Sequence, residues 1–136
     1  MQLRCDKCGA FVTKEITKVG TRDEAMTRIN KPTSDDEPDF SKGVMMPGRC
    51  TIEHTHQYWT YDEENGTYTP VGPKTLKFLV SEEDLTNIII ANESKGCCKL
   101  DYFQVLCKCG TELGHGGNDC WQDDFCSIAA DVVNQI

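Results

Sequence analysis

Apolar and polar residues alternate along much of this chain with the period of a β-strand. From Lys74 to Val80, Leu76, Phe78 and Val80 recur at every second position, as a strand with one buried face requires. Tyr102 to Leu106 reads the same way. The clearest strand signal runs from Cys50 to Val71, where Tyr, Trp and Thr suit a pleated surface. Within it Asn65-Gly66 is a strong hairpin signal, offering positive φ at both central positions of a turn. Residues 2–20 predict a short hairpin, with Phe11, Val12, Ile16 and Val19 alternating loosely with Thr and Lys.

Helical signals are fewer. Ser81-Glu82-Glu83-Asp84 resembles a capping box, with carboxylates at the positive end of the helix dipole. It predicts a short helix that buries Leu85, Ile88 and Ile89, unless Ile88-Ile89-Ile90 turns to strand. Arg22 to Ile29 predicts a helical turn. Ser127 to Ile136 fits either a final helix, with Ile128, Val132 and Ile136 on one face, or an edge strand. From Thr21 to Gly43 the pattern fades, and the charged, Pro-bounded run at its centre predicts a mobile acidic loop around 30–42. Asn92 to Gly96 predicts a second loop. The sum is one domain over 1–136, mostly β with a minor α+β character: antiparallel sheets with one or two short helices.

Composition narrows the function classes. At 136 residues the chain can bury one modest core. No apolar run approaches a membrane span. The net charge of −8 argues against nucleic acid, whose binding draws on Lys and Arg. It suits solubility, or a basic protein partner.

The candidate chemistry is cysteine. Six of the nine cysteines lie between Gly96 and Cys126, and Cys5-Asp6-Lys7-Cys8-Gly9 stands at the other end. A glycine after the second cysteine of a pair supplies the positive φ that lets backbone N–H groups face thiolates. Gly9 follows Cys8 and Gly110 follows Cys109. Four thiolates form a closed structural zinc site, and Cys5, Cys8, Cys107 and Cys109 are the first choice for it. Cys107 and Cys109 are one residue apart, with Leu106 where a regular knuckle places its first ligand, so Cys97 or Cys98 is the substitute for Cys107 if that spacing is too strained. Met1 to Cys5 lacks the apolar segment of an export signal. With an odd cysteine count, that predicts a reducing, cytoplasmic setting rather than disulfides. Cys50, Cys120 and Cys126 read as small buried hydrophobes. On one continuous strand over 52–61, His54, His56 and Tyr58 would share a face. Two such imidazoles suit a metal or a proton relay, but with no third ligand nearby they read as partly exposed histidines bonded to neighbours.

Arg4 to Phe11 resembles the first knuckle of the β-tent zinc proteins, a group that includes the methionine-R-sulfoxide reductases, the Yippee proteins and the thalidomide-binding domain of cereblon. Cys107-Lys108-Cys109-Gly110-Thr111-Glu112-Leu113-Gly114-His115 resembles their second knuckle, where C-x-x-C-G precedes Leu-Gly-His or Leu-Gly-Trp. The likeness covers about 25 residues at the two ends, and it implies two antiparallel sheets packed at a steep angle and pinned by zinc. Gly96-Cys97-Cys98, Cys107-x-Cys109-Gly110 and Asp119-Cys120-Trp121 also resemble a series in a group of bacterial proteins, which implies no function. The reductase likeness implies Cys126 as nucleophile, Cys120 as resolving thiol and His115 at the Leu-Gly-His position. The Gly-Trp-Pro-Ser-Phe segment that builds the reductase pocket is absent here, and shared fold does not transfer activity.

Three functions follow, in order. The first is a non-catalytic, zinc-stabilised binding protein, as inhibitor, immunity-type protein or adaptor, facing a basic partner. The second is a thiol-dependent reductase centred on Cys126. The third is a metal-dependent hydrolase using His54 and His56. Asp123, Asp124 and Asp131 near Cys126 disfavour its thiolate, so the expectation is a buried, unreactive thiol.

Overall fold

The computed structural model describes residues 1–31, 40–56, 58–92, 102–117 and 124–136. Strands dominate, as the alternation predicts. They are β1 (Leu3–Cys5), β2 (Thr17–Lys18), β3 (Met26–Lys31), β4 (Phe40–Met45), β5 (Arg49–Thr55), β6 (Tyr58–Asp62), β7 (Thr67–Val71), β8 (Thr75–Val80), β9 (Ile88–Ala91), β10 (Tyr102–Cys107), β11 (Glu112–Gly117), β12 (Phe125–Ala129) and β13 (Val133–Gln135). Helical structure among the described residues is one α-helical turn, α1 (Arg22–Ala25), and two 3₁₀ turns, Glu82–Asp84 and Ala130–Val132.

Seven strands form the main sheet in the order β2-β5-β8-β12-β11-β10-β9, and β2 alone pairs parallel. The pairs β1–β13, β3–β4 and β6–β7 form three two-stranded antiparallel ribbons. Register sorts the main sheet into two faces. Cys50, Val80, Cys126, Gly116 and Phe103 align across it, as do Ile52, Phe78, Ile128, Gly114 and Val105. That face packs against Leu3, Val12, Ile16 and Val133 to make the main core. On the other face Leu79 joins Ala25, Met26 and Met45 in a smaller cluster. The apolar alternation in β8 therefore tells half the story: its last four residues are buried on both sides.

Several expectations are corrected. Residues 52–61 are not one strand. β5 ends at Thr55, with His54 in it and His56 beyond it, and pairs with β8, while among the described residues β6 pairs only with β7, so the chain changes sheets between Thr55 and Tyr58. The β6–β7 turn spans four residues between Asp62 and Thr67, and only Gly66 has positive φ (64°). The Asp62 side chain tightens it by accepting from the Glu64 N–H (3.0 Å) and from Asn65 Nδ2 (2.7 Å). The first hairpin is shorter than predicted: Val12 N–H bonds back to Leu3 O at 2.9 Å, but Thr17–Lys18 leaves to run parallel to β5. Met26–Lys31 and Phe40–Met45 form a ribbon where the fading pattern predicts a turn and a loop. At its base Met26 and Met45 are buried, while the neighbouring Thr27 and Arg28 are exposed. The helix after Ser81 lasts one 3₁₀ turn. Ser81 Oγ caps it by accepting from the Glu83 N–H at 3.3 Å. The β-branched trio Ile88-Ile89-Ile90 then pairs with β10, and Ile89 is half exposed rather than core. The last segment is a 3₁₀ turn followed by a strand. Residues 32–39 of the expected acidic loop and 93–96 of the second loop lie outside the described residues.

Close packing of β11 on β12 gives a test. A Cβ on Gly114 would run into the backbone carbonyl of Ser127, which has no way to move aside without breaking the pairing. Gly114→Ala is expected to lower stability by about 2 kcal/mol or more in urea unfolding. An unchanged midpoint would contradict the β11–β12 register.

Candidate metal centre

Both cysteine pairs sit on hairpin loops, and glycine shapes each. In the first, Cys5 N–H bonds to Ala10 O (2.8 Å) and Gly9 N–H bonds to Cys5 O (2.9 Å), enclosing four residues. In the second, Cys107 N–H bonds to Thr111 O (2.8 Å) and Gly110 N–H bonds to Cys107 O (2.8 Å), enclosing three. Gly9 (φ 78°) and Gly110 (φ 91°) take the same left-handed position before the chain turns back. The C-x-C-G spacing is thus the C-x-x-C-G loop shortened by one residue. A register shift between Val105 and Leu106, opposite Leu113, accompanies it: Val105 faces Gly114 while Leu106 faces Glu112. This leaves Phe103, Val105 and Cys107 on the core face, with Leu113 also buried.

Residues 85–88 hold the two loops together. Leu85 bridges Thr13, the Thr86 N–H bonds to Val12 O (2.9 Å), and Asn87 Nδ2 donates to Phe11 O (2.8 Å), which fixes the strand leaving the first loop. Asn87 O accepts from the Lys108 N–H (2.9 Å) and Ile88 pairs with Cys107, which fixes the strand entering the second. Asn87 takes φ 52° to face both ways. The sequence reading missed it, although a lone Asn ahead of a β-branched run is a usual tenant of that conformation. β13 braces the first loop from the other side, with Cys5 opposite Val133 and Asp6 N–H bonded to Val132 O at 3.0 Å.

The result brings Cys5, Cys8, Cys107 and Cys109 together, with all four sulfurs within 4.8 Å of one another. Cys5 Sγ lies 3.8 Å from Cys109 Sγ, and Cys8 Sγ lies 3.5 Å from Cys107 Sγ. Sulfurs about 2.3 Å from a tetrahedral zinc stand about 3.8 Å apart, so the donor set fits a metal ion of that size. Cys5 and Cys107 are buried in the core, whereas Cys8 and Cys109 are exposed. Among the described residues this is the one group of three or more Cys, His, Asp or Glu donors arranged to hold a metal. The one-residue spacing is accommodated, and Cys107 occupies the place for which Cys97 and Cys98 were substitutes; both of those lie outside the described residues.

The thiols differ electrostatically. Burial pushes Cys107 up to about 12. Cys109 is held down to about 6, first by the Thr111 hydroxyl 3.0 Å away and then by the Thr111 N–H. Cys5 is lowered: burial opposes ionisation, but the N–H groups of Cys8 and Lys7 and the Cys107 thiol outweigh it.

Among the described residues the other candidates do not assemble. Cys126 is 1% exposed in β12, and burial, then Glu82, pushes its thiol up to about 12. The expected inertness therefore rests mainly on burial, with Glu82 rather than the neighbouring aspartates adding charge. His115 pairs with Ser127 and so lies on the face opposite Cys126; it cannot serve that thiol. Its Nε2 stands 3.6 Å from Glu112 Oε1, and burial, against Glu112 and together with Lys77, lowers its pKa. Cys120 lies outside the described residues. His54 is exposed, and His56 Nδ1 donates to Gly72 O at 2.8 Å. Cys50 is fully buried and pushed up to about 11 by burial.

Two measurements follow. With metal removed by chelation, iodoacetamide at neutral pH is expected to label Cys109 first and Cys126 last by peptide mass spectrometry; the reverse order would contradict the electrostatics. Alkali tests the buried thiol. A folded pKa near 12 against an unfolded value near 9 means that the folded state keeps a proton the unfolded state loses. Stability is therefore full below pH 9 and falls as pH rises towards 12, by at most about 1.4 kcal/mol per unit from this group. Cys126→Ala is expected to flatten the fall of melting temperature between pH 9 and 11, and an unchanged slope would refute the assignment.

No family model, curated protein or solved structure matches this chain.

Proposed function

We propose that this is a small, acidic, zinc-stabilised binding protein of the cytoplasm, acting as an inhibitor, immunity-type protein or adaptor on a basic protein partner. The observation that carries the reading is the closed four-sulfur set. Four protein thiolates leave zinc no open position for substrate or water, which is the signature of a structural rather than a catalytic metal. The two glycine-bearing loops, and the way the sheet brings them together, also support kinship with the β-tent zinc proteins as a proposal. A net charge of −8 favours a basic partner over nucleic acid. Among the described residues no helix is long and apolar enough to cross a membrane.

The reductase reading has one observation in its favour: Cys126 lines a cavity of about 200 Å³. Against it stand a thiol that burial keeps protonated and a His115 on the far face of the sheet. Sulfoxide reduction needs a thiolate at neutral pH, so the binding reading is preferred. The hydrolase reading is weaker still, since His54 and His56 join no group of three donors among the described residues.

Purified protein is expected to carry one zinc per chain by elemental analysis, with four thiols becoming titratable on chelation. Cys107→Ser is expected to lose the metal and several kcal/mol of stability, because structural zinc contributes directly to folding. Metal-free protein that melts unchanged would sink the zinc reading. Reduction of methionine-R-sulfoxide with a dithiol donor, abolished by Cys126→Ala, would replace the binding reading with the reductase.

A further inference from the structure

At the end of β10 remote from Cys107, a second site takes shape. The last residues of β4, the turn after Ser81 and the adjoining ends of β10, β11 and β12 enclose a cavity of about 200 Å³. Its position is fixed by the main chain. Val44 bridges Asp124, the Met45 N–H bonds to Asp124 O (3.0 Å), and the Asp124 N–H bonds to Gly43 O (2.9 Å), so β4 is clamped against the start of β12. The lining is divided. Val44, Phe103 and Phe125 are among its apolar lining residues, and Glu82, Glu83 and Asp124 are its acidic ones. Glu82 and Glu83 are exposed, so their charge sits towards solvent, and Phe103 is buried, so the apolar part is the floor. Cys126, also in the lining, is 1% exposed. Kept protonated by burial, it adds no charge. Among the described residues that line the cavity none is Lys or Arg.

We propose that this cavity receives the side chain of a lysine or arginine presented by a partner protein, the aliphatic stem on the Val44, Phe103 and Phe125 walls and the cationic head among Glu82, Glu83 and Asp124. Three arguments select that occupant. The volume is below the roughly 300 Å³ at which sites for drug-sized ligands begin, and suits one side chain. Basic side chains combine an apolar stem with a charged tip, which matches an apolar floor under an acidic mouth. Aromatic side chains in the lining favour a cation further. The proposal rests on the reading of an acidic binding protein and names the partner group that such a protein would grip.

The test uses the full metal-loaded chain, ¹⁵N-labelled, titrated with Nα-acetyl-lysine methylamide and its arginine counterpart. Saturable shifts are expected at the Val44, Gly117, Phe125 and Cys126 amides. The neutral norleucine analogue is expected to bind about threefold or more weakly, as is the lysine probe to a Glu82→Gln/Glu83→Gln variant, since exposed charge pairs are worth up to about 1 kcal/mol. Both glutamates are exposed, so that variant is expected to melt as the parent does. Unmoved cavity amides, or equal affinity for norleucine, would overturn the proposal. Tighter binding of free butylamine than of the lysine amide would also overturn it, in favour of a small-amine ligand. A basic partner bound with the cavity amides unmoved would leave the acidic-binding reading standing and remove only this site.

Discussion

The short segment Leu85–Ile88 is the constraint on which the candidate metal centre depends. Two loops separated by almost the whole chain present their cysteines at one point because this segment hydrogen-bonds to both. Phe11 and Val12 fasten to one side of it through Asn87 Nδ2 and the Thr86 N–H, and Lys108 fastens to the other through Asn87 O. The sulfurs then need little further guidance. Cys5 and Cys107 are anchored in the core, and the two exposed cysteines follow from loop geometry that glycine permits. A metal bridging the loops would close a link between chain segments a hundred residues apart, which is where a cross-link restricts the unfolded chain most.

Much of this was legible from residue order, for identifiable reasons. Alternating apolar positions announced β8 and β10 as strands, although the last four residues of β8 proved buried on both faces. The cysteine set was legible because Cys-Gly pairs have few other uses. What could not be read was pairing. Nothing in His54-Thr55-His56-Gln57-Tyr58 marks the point where the chain leaves the main sheet for a separate ribbon. The β3–β4 ribbon escaped because its strands carry no sustained apolar alternation, so its sequence looks like a loop. Leu79 shows the converse, since its partners Ala25, Met26 and Met45 come from elements far away in sequence. The helix expected after Ser81 failed where local capping chemistry met a β-branched run with a paired edge waiting for it. Asn87 was invisible because its role exists only once both loops are in place.

Cys126 shows how the sheet separates groups that sequence motifs join. The reductase likeness pairs it with His115, but strand alternation puts them on opposite faces. The same alternation turns Cys126 inward beside Phe103, where low polarity favours the neutral thiol. Glu82, in the acidic turn after Ser81, adds negative charge near the thiol and disfavours the anionic form further. One end of β10 thus carries sulfur chemistry suited to a structural metal, and the other an apolar recess with an acidic mouth.

The central claim is that four sulfurs from two distant loops enclose one zinc. X-ray absorption at the zinc edge of the purified protein tests it most directly. The account predicts a single shell of four sulfurs at about 2.3 Å with no nitrogen or oxygen neighbour. A shell containing light atoms, fewer than four sulfurs, or a signal that survives Cys107→Ser unchanged would contradict it.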